Sequence, residues 1–303
     1  SLQGRYTRIE DFYVRNHYDA PAVITPAPLR IEGEVEHPRS VSPDRLAALP
    51  QRKIGTVLEC AGDPTQAVSL VSDGVWEGWA LRDILASARP LPSGKYLHLS
   101  GRDGFSRSVP VGWAMEEGLL VTTLNGRPLT RNHGAPWRAL FPGLYGMDSV
   151  KWLEKIVVAS SPLPVVGYAY VEIKRGGFGI VEERPLPRVQ VKSVITAPAE
   201  GAVLHRGQAR VSGLAWSGSG KISSVNVSAG EEERPQPAAL DRSASRYDWV
   251  LWSASFDLKR PGVVEFVAKA TDSAGNTQPE ERDPQRLDSY AYNVCDRVRC
   301  VVV

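Results

Sequence analysis

The pattern of apolar and polar positions changes along the chain. From about residue 190 onward, short runs alternate apolar with polar residues and are separated by turn residues. Alternation with period two is typical of strands with one buried face, and regular strands without helices are typical of a β-sandwich. The runs are "VKSVITAP", "QARVSGLAWSG", "ISSVNVSAG", "YDWVLWSASFDL", "GVVEFVAKATD" and "YAYNVCDRVRCVVV". Residues 190–303 are therefore predicted to form an all-β sandwich of the immunoglobulin type.

The first part of the chain mixes strand patterns with short helical ones. In "SPDRLAALP", Ser42 or Asp44 can cap a helix that a proline ends, and "WEGWALRDILASA" places its apolar residues on one helical face. "KYLHLSGRDGFSRSVPV" alternates on both sides of a Gly-Arg-Asp-Gly turn, which predicts a hairpin. We predict a mixed α and β domain over residues 1–165, a proline-rich linker over 166–189, and the sandwich over 190–303.

Composition and charge narrow the class of protein. The 303 residues are long enough for two domains, with 42% hydrophobic and 23% charged residues. The formal net charge is only +2, which argues against a nucleic-acid coat or a membrane-surface protein. No apolar run approaches the roughly 20 residues that span a bilayer. We therefore expect a globular protein with a small-molecule substrate, without nucleic-acid partners or a membrane span.

The three cysteines suggest different chemistry. Cys295 and Cys300 lie in "NVCDRVRC", where either a disulfide across a tight turn or two free packed thiols is compatible with the spacing. Cys60 stands alone at the end of an apolar run. It is a buried inert thiol, a nucleophile paired with His17 or His133, or a thiolate ligand of a soft metal. Cys60 by itself does not decide among these.

Two segments combine basic side chains with glycines and prolines. They are "FYVRNHYDAP" and "LNGRPLTRNHGAPWRALFPGLYGMDSVKWLEKIVV". Cationic donors in a rigid loop framework suit the capture of a phosphate-bearing ligand that is rich in hydrogen-bonding groups. These segments favour a ligand-binding role, because sequences such as His-Gly-x-Pro-x-Arg and Ser-Val-Lys-Trp-Leu are costly to hold with no ligand to satisfy them.

The segments "FYVRNH", "LECAG", "LNGRPLTRNHGAPWRALFPGLYGMDSVKWL" and "VITAPAEGAVLHRGQARVSGLAWSG" together resemble the sulfite oxidase family of molybdenum enzymes. The resemblance covers nearly the whole chain and keeps the family's order. It implies an α+β cofactor domain of sulfite oxidase type followed by an all-β immunoglobulin-like sandwich used for dimerisation. It also implies a molybdenum cofactor carried by molybdopterin and oxo transfer at the metal.

The resemblance assigns roles to individual residues. Cys60 matches the cysteine whose thiolate binds molybdenum. The residues expected to line the molybdopterin and the metal are Tyr13, Val14, Arg15, Asn16 and His17. Asp103 resembles a pterin-contacting aspartate. The residues expected to hold the pterin and its phosphate are His133, Arg138, Ser149, Val150 and Lys151.

The substrate pocket departs from the family pattern. Relatives usually continue Cys-Ala-Gly-Asn-Arg-Arg, whereas this chain continues Cys-Ala-Gly-Asp-Pro-Thr, so an oxyanion-binding arginine is missing and Asp63 adds negative charge. Val250 stands where another arginine is expected. The usual active-site tyrosine aligns with Arg175, unless a loop shift brings in Tyr168 or Tyr170. Two lost charge-assisted hydrogen bonds, each worth roughly 1.5–3 kcal/mol, would weaken binding of a small dianion.

The expected function follows from the retained and altered positions. Sulfite or a related sulfur compound is the expected substrate, with Arg15, Cys60 and Arg175 as the catalytic set. No haem motif is present, so electrons should pass to a separate acceptor such as cytochrome c. The resemblance also favours a periplasmic homodimer. The alternatives are the same cofactor with another substrate (a sulfur-carrier conjugate or an S- or N-oxide), a non-catalytic interaction protein that retains the fold, and a cysteine hydrolase.

Overall fold

A computed structural model describes residues 5–22, 24–63, 70–164, 170–230, 234–241 and 245–303. Over these ranges the fold is mainly β. The α-helices are α1 (Pro43–Ala47), α2 (Leu81–Ala86) and α3 (Val111–Glu117). Short 3₁₀ helices lie at Ile9–Asp11, Arg131–His133, Gly146–Asp148 and Gly177–Gly179. The strands are β1 (Leu29–Gly33), β2 (Arg39–Val41), β3 (Gln51–Glu59), β4 (Val71–Ala80), β5 (Tyr96–Gly101), β6 (Ser106–Pro110), β7 (Leu119–Leu124), β8 (Arg127–Pro128), β9 (Arg138–Leu140), β10 (Leu153–Ala159), β11 (Val171–Arg175), β12 (Val181–Pro185), β13 (Lys192–Ala197), β14 (Val203–Leu204), β15 (Gly207–Trp216), β16 (Ile222–Ala229), β17 (Gln236–Pro237), β18 (Ala239–Leu240), β19 (Val250–Leu258), β20 (Gly262–Asp272) and β21 (Asp296–Val302).

The chain divides into two compact units. The N-terminal unit contains Arg8–Cys60 and Gly74–Ala169. The C-terminal unit contains the described parts of Ser1–Thr7, Ala61–Asp73 and Tyr170–Val303. The segment directly after Cys60 therefore clusters with the C-terminal unit, although the predicted boundaries put it within 1–165.

The N-terminal unit is built on two sheets. One has the strand order β2-β1-β10-β5-β6, and β1 runs parallel to β10 while the other pairs are antiparallel. The other has the order β3-β4-β7-β8, with β9 also paired to β7. Helix α2 buries Leu81, Ile84 and Leu85 in the main core of this unit. Each such fully buried side chain contributes about 1.5–3 kcal/mol to folding through burial of apolar surface.

The C-terminal unit contains two larger sheets with one shared core. Their strand orders are β13-β15-β19-β18 and β14-β21-β20-β16-β17. Trp252 and Phe256 from the first sheet pack in the same hydrophobic cluster as Phe266 from the second. Burial alternates along β19 and β21, as the period-two pattern predicts. The predicted strands of residues 190–303 are confirmed, and assignment of the sandwich to the immunoglobulin type stays a prediction.

Local predictions for the first 165 residues are confirmed in two places. Helix α1 begins after Ser42, whose hydroxyl accepts a hydrogen bond from the Arg45 N–H at 3.4 Å. Strands β5 and β6 form the predicted hairpin. In "WEGWALRDILASA", however, strand β4 continues through Trp79 to Ala80, because Trp79 pairs with Leu120 of β7. Ladder pairing overrides the helical pattern there, and the helix begins only at Leu81.

The segment predicted to be a linker, 166–189, contains a hairpin. Strands β11 and β12 pair over five positions, and β11 is joined to a later segment by a salt bridge of 2.7 Å between Glu172 and Arg286. Arg286 also binds the buried carboxylate of Asp288. Residues 171–185 therefore form a hairpin with a charged partner more than a hundred positions away, and the linker bounds 166–189 stay a prediction.

The two C-terminal cysteines are free thiols, so the open question about a disulfide is answered. Both are buried, and burial raises the pKa of each thiol. Cys300 lies inside β21 and points to the core, whereas Cys295 precedes the strand. Among the described helices, none combines the length and the apolar character that a bilayer span requires.

Candidate cofactor site

The N-terminal segment is held against the strand that leads to Cys60. Phe12 is buried and packs edge-on against Trp76 and His133, with ring centroids 5.5 and 5.7 Å apart. Tyr13 follows it. A Cβ on Gly146 would lie 2.5 Å from the Tyr13 Oη and 3.4 Å from the carbonyl oxygen of the residue before Cys60. Because Gly146 has no side chain, the Tyr13 hydroxyl and the end of β3 can both pack closely against its backbone.

Lys151 is the point at which several loops meet. Its Nζ donates to the Asn16 Oδ1 at 2.7 Å and to the Asn132 carbonyl oxygen at 2.6 Å. The ammonium also lies 5.5 Å from the centre of the Trp152 ring. Burial, together with repulsion from Arg138, lowers the pKa of Lys151 to about 7. No carboxylate lies within salt-bridge distance of this ammonium in the part of the chain that the structure describes.

Arg138 is a buried cation at the start of β9. Its Nη2 donates to the Ser149 carbonyl oxygen at 2.6 Å, and its Nη1 to the His133 carbonyl oxygen at 3.4 Å. The guanidinium lies 5.4 Å from the centre of the Trp76 ring. Burial lowers the pKa of Arg138 to about 10. Its buried Nε has no hydrogen-bond acceptor among the described residues.

His133 and Asp103 complete the titratable set. Burial, followed by repulsion from Arg138 and Lys151, lowers the pKa of His133 to about 4, so this imidazole is neutral at pH 7. Burial raises the pKa of Asp103, while Lys151 and His17 act in the opposite direction. The Asp103 Oδ1 accepts the backbone N–H of Phe105 at 3.1 Å. Asp103 therefore stabilises the β5–β6 turn and also interacts with the charge of Lys151.

Other residues assigned by resemblance divide into two groups. Val14, Arg15 and His17 are exposed, and the His17 ring lies 5.5 Å from that of Phe105. Ser149 and Val150 are buried and serve the fold. The Ser149 Oγ accepts the Phe141 N–H at 3.2 Å, and Val150 belongs to the main core. Any contact that Val150 makes with a ligand is therefore expected to use its backbone.

The predicted catalytic residues lie in different parts of the chain. Cys60 is half-buried at the end of β3, in the N-terminal unit. Arg175 is exposed at the end of β11, in the C-terminal unit, so its participation stays a prediction. Tyr168 lies outside the described residues. Tyr170 is described, and its ring lies 5.4 Å from that of Tyr290.

The structure changes the interpretation of two departures. Asp63 is buried and forms an ion pair with Lys192 at 3.4 Å, so its charge is neutralised within the C-terminal unit. Asp63 does add a carboxylate, as the sequence indicates, and Lys192 compensates its charge. Val250 is buried at the start of β19 opposite Ala215, a setting that suits an apolar side chain.

Sequence reasoning missed residues that hold the site loops. Arg131 donates to the carbonyl oxygens of Ala20 and Pro21 at 2.8 and 2.9 Å, which fixes the segment after His17. Arg107 forms a salt bridge of 3.0 Å with the buried carboxylate of Asp148, which directly precedes Ser149. The run "TRNHG" was a signal for Arg131, but no local signal connects residues 107 and 148.

The donor set fits an anionic, phosphate-bearing cofactor. Arg138 offers a buried Nε that needs an acceptor, and Lys151 is an ammonium that forms no salt bridge in the described structure. Asn16 and neutral His133 add uncharged hydrogen-bonding groups at the same location. An anion here would satisfy the Nε and restore the ordinary protonation of Lys151. The residues present thus fit a molybdopterin cofactor.

Comparison with known proteins supports this fit. The family model described as "Oxidoreductase molybdopterin binding domain" matches residues 17–165. The one described as "Mo-co oxidoreductase dimerisation domain" matches residues 184–300. In the crystal structure of the sulfane dehydrogenase SoxCD from Paracoccus pantotrophus, one chain is similar with a TM-score of 0.87 at 24% identity, covering 99% of this chain and 82% of that one. That likeness establishes the shared fold.

Two curated relatives give the family. Sulfite oxidase of Gallus gallus is 30% identical over 316 residues, which cover 91% of this chain and 68% of that protein. Mitochondrial sulfite oxidase of Drosophila melanogaster is 31% identical, covering 91% of this chain and 56% of that protein. The resemblance in the sequence is confirmed, as are an enzymatic nature and a molybdenum cofactor. The chain belongs to the sulfite oxidase family of molybdopterin-dependent oxidoreductases.

Proposed function

We propose that the protein oxidises sulfite or a related small sulfur compound at a molybdenum centre to which Cys60 supplies a thiolate. One observation carries the proposal: buried Arg138 and half-buried Lys151 lie in the same unit as the strand that leads to Cys60, and neither forms a salt bridge with a carboxylate among the described residues. A thiolate is a strong donor to a soft or high-valent metal. These two cations suit the phosphate of the organic part of the cofactor.

The chain's own residues bind and orient the cofactor. Lys151 and the Arg138 Nε would hold the anionic end, and Asn16 is placed by its bond to Lys151. When bound, the molybdenum cofactor supplies two-electron oxo transfer. A bound phosphate keeps Lys151 protonated, since a neighbouring anion raises the pKa of an ammonium. His133 remains neutral at pH 7 and so adds no charge to the cationic pair.

Four observations bear on the substrate. The ion pair between Asp63 and Lys192 neutralises the carboxylate that replaces an asparagine, which supports an anionic sulfur substrate. Exposed Arg15 is the expected steering cation. The missing arginine after Cys60 and the apolar Val250 instead favour a larger or less charged sulfur compound. A sulfur-carrier conjugate is therefore the second candidate substrate class.

The test uses the protein loaded with cofactor in a host that makes molybdopterin. Sulfite oxidation is measured at steady state with ferricyanide and with cytochrome c as electron acceptors. The Cys60→Ser variant should lose activity by more than about a hundredfold and should lose one sulfur ligand in X-ray absorption at the molybdenum edge. Cys300→Ser, which removes a buried thiol from β21, is the matched control and should keep both. No turnover of sulfite by metal-replete protein would exclude sulfite, and unchanged sulfur ligation in Cys60→Ser would exclude the ligand.

We further propose a homodimer that passes electrons to a separate acceptor and works in the periplasm. The dimerisation-domain match over residues 184–300 supports the homodimer. Sedimentation of the loaded protein should give the mass of two chains, and a single chain at micromolar concentration would contradict it. Cell fractionation should place the native protein in the periplasmic extract, and recovery with a cytoplasmic marker would contradict that location.

A further inference from the structure

The peptide segment that follows Cys60 is held by contacts inside the C-terminal unit. The Ala61 carbonyl oxygen accepts the backbone N–H of Ala291 at 2.8 Å. The Tyr290 ring lies beside Gly62, with its Cε1 3.8 Å from the position that a Cβ would take. Because Cys60 is joined to Ala61 by a peptide bond, whatever holds Ala61 restrains the carboxyl side of the cysteine.

The third contact of this segment is a buried ion pair. The side chains of Asp63 and Lys192 are each 1% exposed, and the Asp63 Oδ2 lies 3.4 Å from the Lys192 Nζ. The other oxygen, Oδ1, accepts the Leu70 N–H at 2.9 Å. One carboxylate thus accepts from the Leu70 N–H and pairs with Lys192 of strand β13.

The surroundings of Lys192 explain why a lysine is tolerated there. On β13 it pairs in register with Trp216 of β15, and its Nζ lies 5.7 Å from the centre of that ring. The neighbouring carboxylate of Asp296 is also close enough for the Lys192 charge to act on its pKa. A fully buried ammonium requires such compensation, and Asp63 is its ion-pair partner.

We propose that Lys192 is a positioning residue for Cys60. It neutralises Asp63, keeps the Asp63 carboxylate inside the unit, and so fixes the segment Ala61–Asp63 that orients the thiolate. The inference rests on the proposed function, in which Cys60 is the metal ligand.

The physical reason is the cost of an unpaired buried charge. Without Lys192, the Asp63 carboxylate must either take up a proton or move towards water. Either change weakens the bond from the Leu70 N–H and loosens the segment at Ala61. Removing both charges together avoids this cost, so a charge-neutral double variant should behave like the wild type.

The first test needs no cofactor. Amide hydrogen exchange is measured on the full-length cofactor-free chain for Lys192→Met and for the double variant Asp63→Asn/Lys192→Met. In Lys192→Met, exchange at Leu70 and Ala291 should accelerate about tenfold or more, and in the double variant it should return to near the wild-type rate. Phe266→Leu, a core substitution in the same unit, is the control for general destabilisation. In this variant, exchange at Leu70 and Ala291 should accelerate no more than exchange at the amides of the β15–β19 ladder.

The second test uses the loaded enzyme. X-ray absorption at the molybdenum edge should show weaker or more disordered sulfur ligation in Lys192→Met than in the double variant or the wild type. Unchanged exchange and unchanged ligation in Lys192→Met would overturn the inference, as would a double variant that is as loose as the single one. If Lys192→Met yields no folded protein, exchange in the double variant decides alone: a near-wild-type rate supports the pair, and accelerated exchange overturns it.

The outcome for the proposed function is recorded separately. If wild-type and Cys60→Ser spectra are identical, Cys60 is not a ligand and the positioning role falls together with the proposed function. If those spectra differ but Lys192→Met changes neither exchange nor ligation, only the present inference falls.

Discussion

Lys151 shows how one residue can be unfavourable for the empty protein and useful for the loaded one. Its ammonium is half-buried near Arg138, and partial burial together with repulsion from Arg138 lowers its pKa to about 7. A cation held in this way costs stability until an anion arrives. The same reasoning applies to Arg138, because burial lowers the pKa of its guanidinium to about 10. These two residues therefore contribute to the selectivity of the site for an anionic cofactor.

The Lys151 pKa gives a prediction about pH. The pKa is about 7 in the fold, against an ordinary value of 10.5, so between these values the unfolded chain binds more protons than the folded chain. The free energy of unfolding therefore rises with pH in that window. We expect urea denaturation of the cofactor-free protein to show a gain of about 2 kcal/mol between pH 7 and pH 9, and Lys151→Met should remove this gain.

Two checks isolate the effect of Lys151. The corresponding window for His133, from about 4 to its ordinary 6.5, lies below pH 7 and does not interfere. Lys155→Met, which changes a lysine on β10 of the same unit, should keep the rise with pH. A Lys151→Met variant whose stability still climbs over this range would contradict the assignment.

At the scale of elements, the turn between the 3₁₀ helix Arg131–His133 and strand β9 brings the cations together. Gly134 ends this helix with φ of +102°, and a Cβ there would lie 3.0 Å from the Lys151 Cβ and 3.1 Å from the Arg138 Cβ. A side chain at this position would thus meet left-handed backbone strain and two crowded neighbours. The turn can approach both cations because it carries glycine.

Gly134→Ala tests the role of this turn. Backbone strain of about 1 kcal/mol and crowding of about 1–3 kcal/mol should both lower the free energy of unfolding. The molybdenum content per chain should fall as the two cations are pushed apart. Gly126→Ala is the matched control, because Gly126 has φ of +75° but nothing within 4 Å of a Cβ. Gly126→Ala should lower the free energy of unfolding only by the backbone strain and should keep the normal molybdenum content. Equal loss of molybdenum in both variants would contradict the proposed crowding.

At the scale of the whole molecule, the cofactor residues Tyr13 to Lys151 belong to one unit and most of the sandwich strands to the other. A ligand stabilises the part of a protein to which it binds, by about 4 kcal/mol at a thousandfold excess over its dissociation constant. Because the two units have separate hydrophobic cores, a bound cofactor can stabilise the N-terminal unit more than the C-terminal unit.

Removal of the cofactor should therefore act unevenly. In calorimetry, the transition of the N-terminal unit should fall by about 10 °C on cofactor removal, while that of the C-terminal unit changes less. Hydrogen exchange assigns the transitions, with β1–β10 amides reporting on the first unit and β15–β19 amides on the second. Equal loss of protection in both ladders would show that the units unfold as one body.

The sequence alone determined the features that depend on neighbouring residues. Period-two alternation predicted the strands of residues 190–303 and the β5–β6 hairpin, and Ser42 or Asp44 as a cap predicted the start of α1. The ordered motifs predicted the family and the cluster of basic residues that contains Arg138 and Lys151. Such signals are local, because side-chain direction and capping repeat over a few positions.

Only the tertiary structure decided the features that depend on distant partners. The hairpin over the predicted linker is held by Glu172 and Arg286, and the charge of Asp63 is cancelled by Lys192, which lies 129 positions away. The same holds for the switch from strand to helix at Leu81, which pairing with β7 imposes. A pattern within one segment cannot encode which remote side chain will face it, because burial and pairing are settled only when the whole chain is packed.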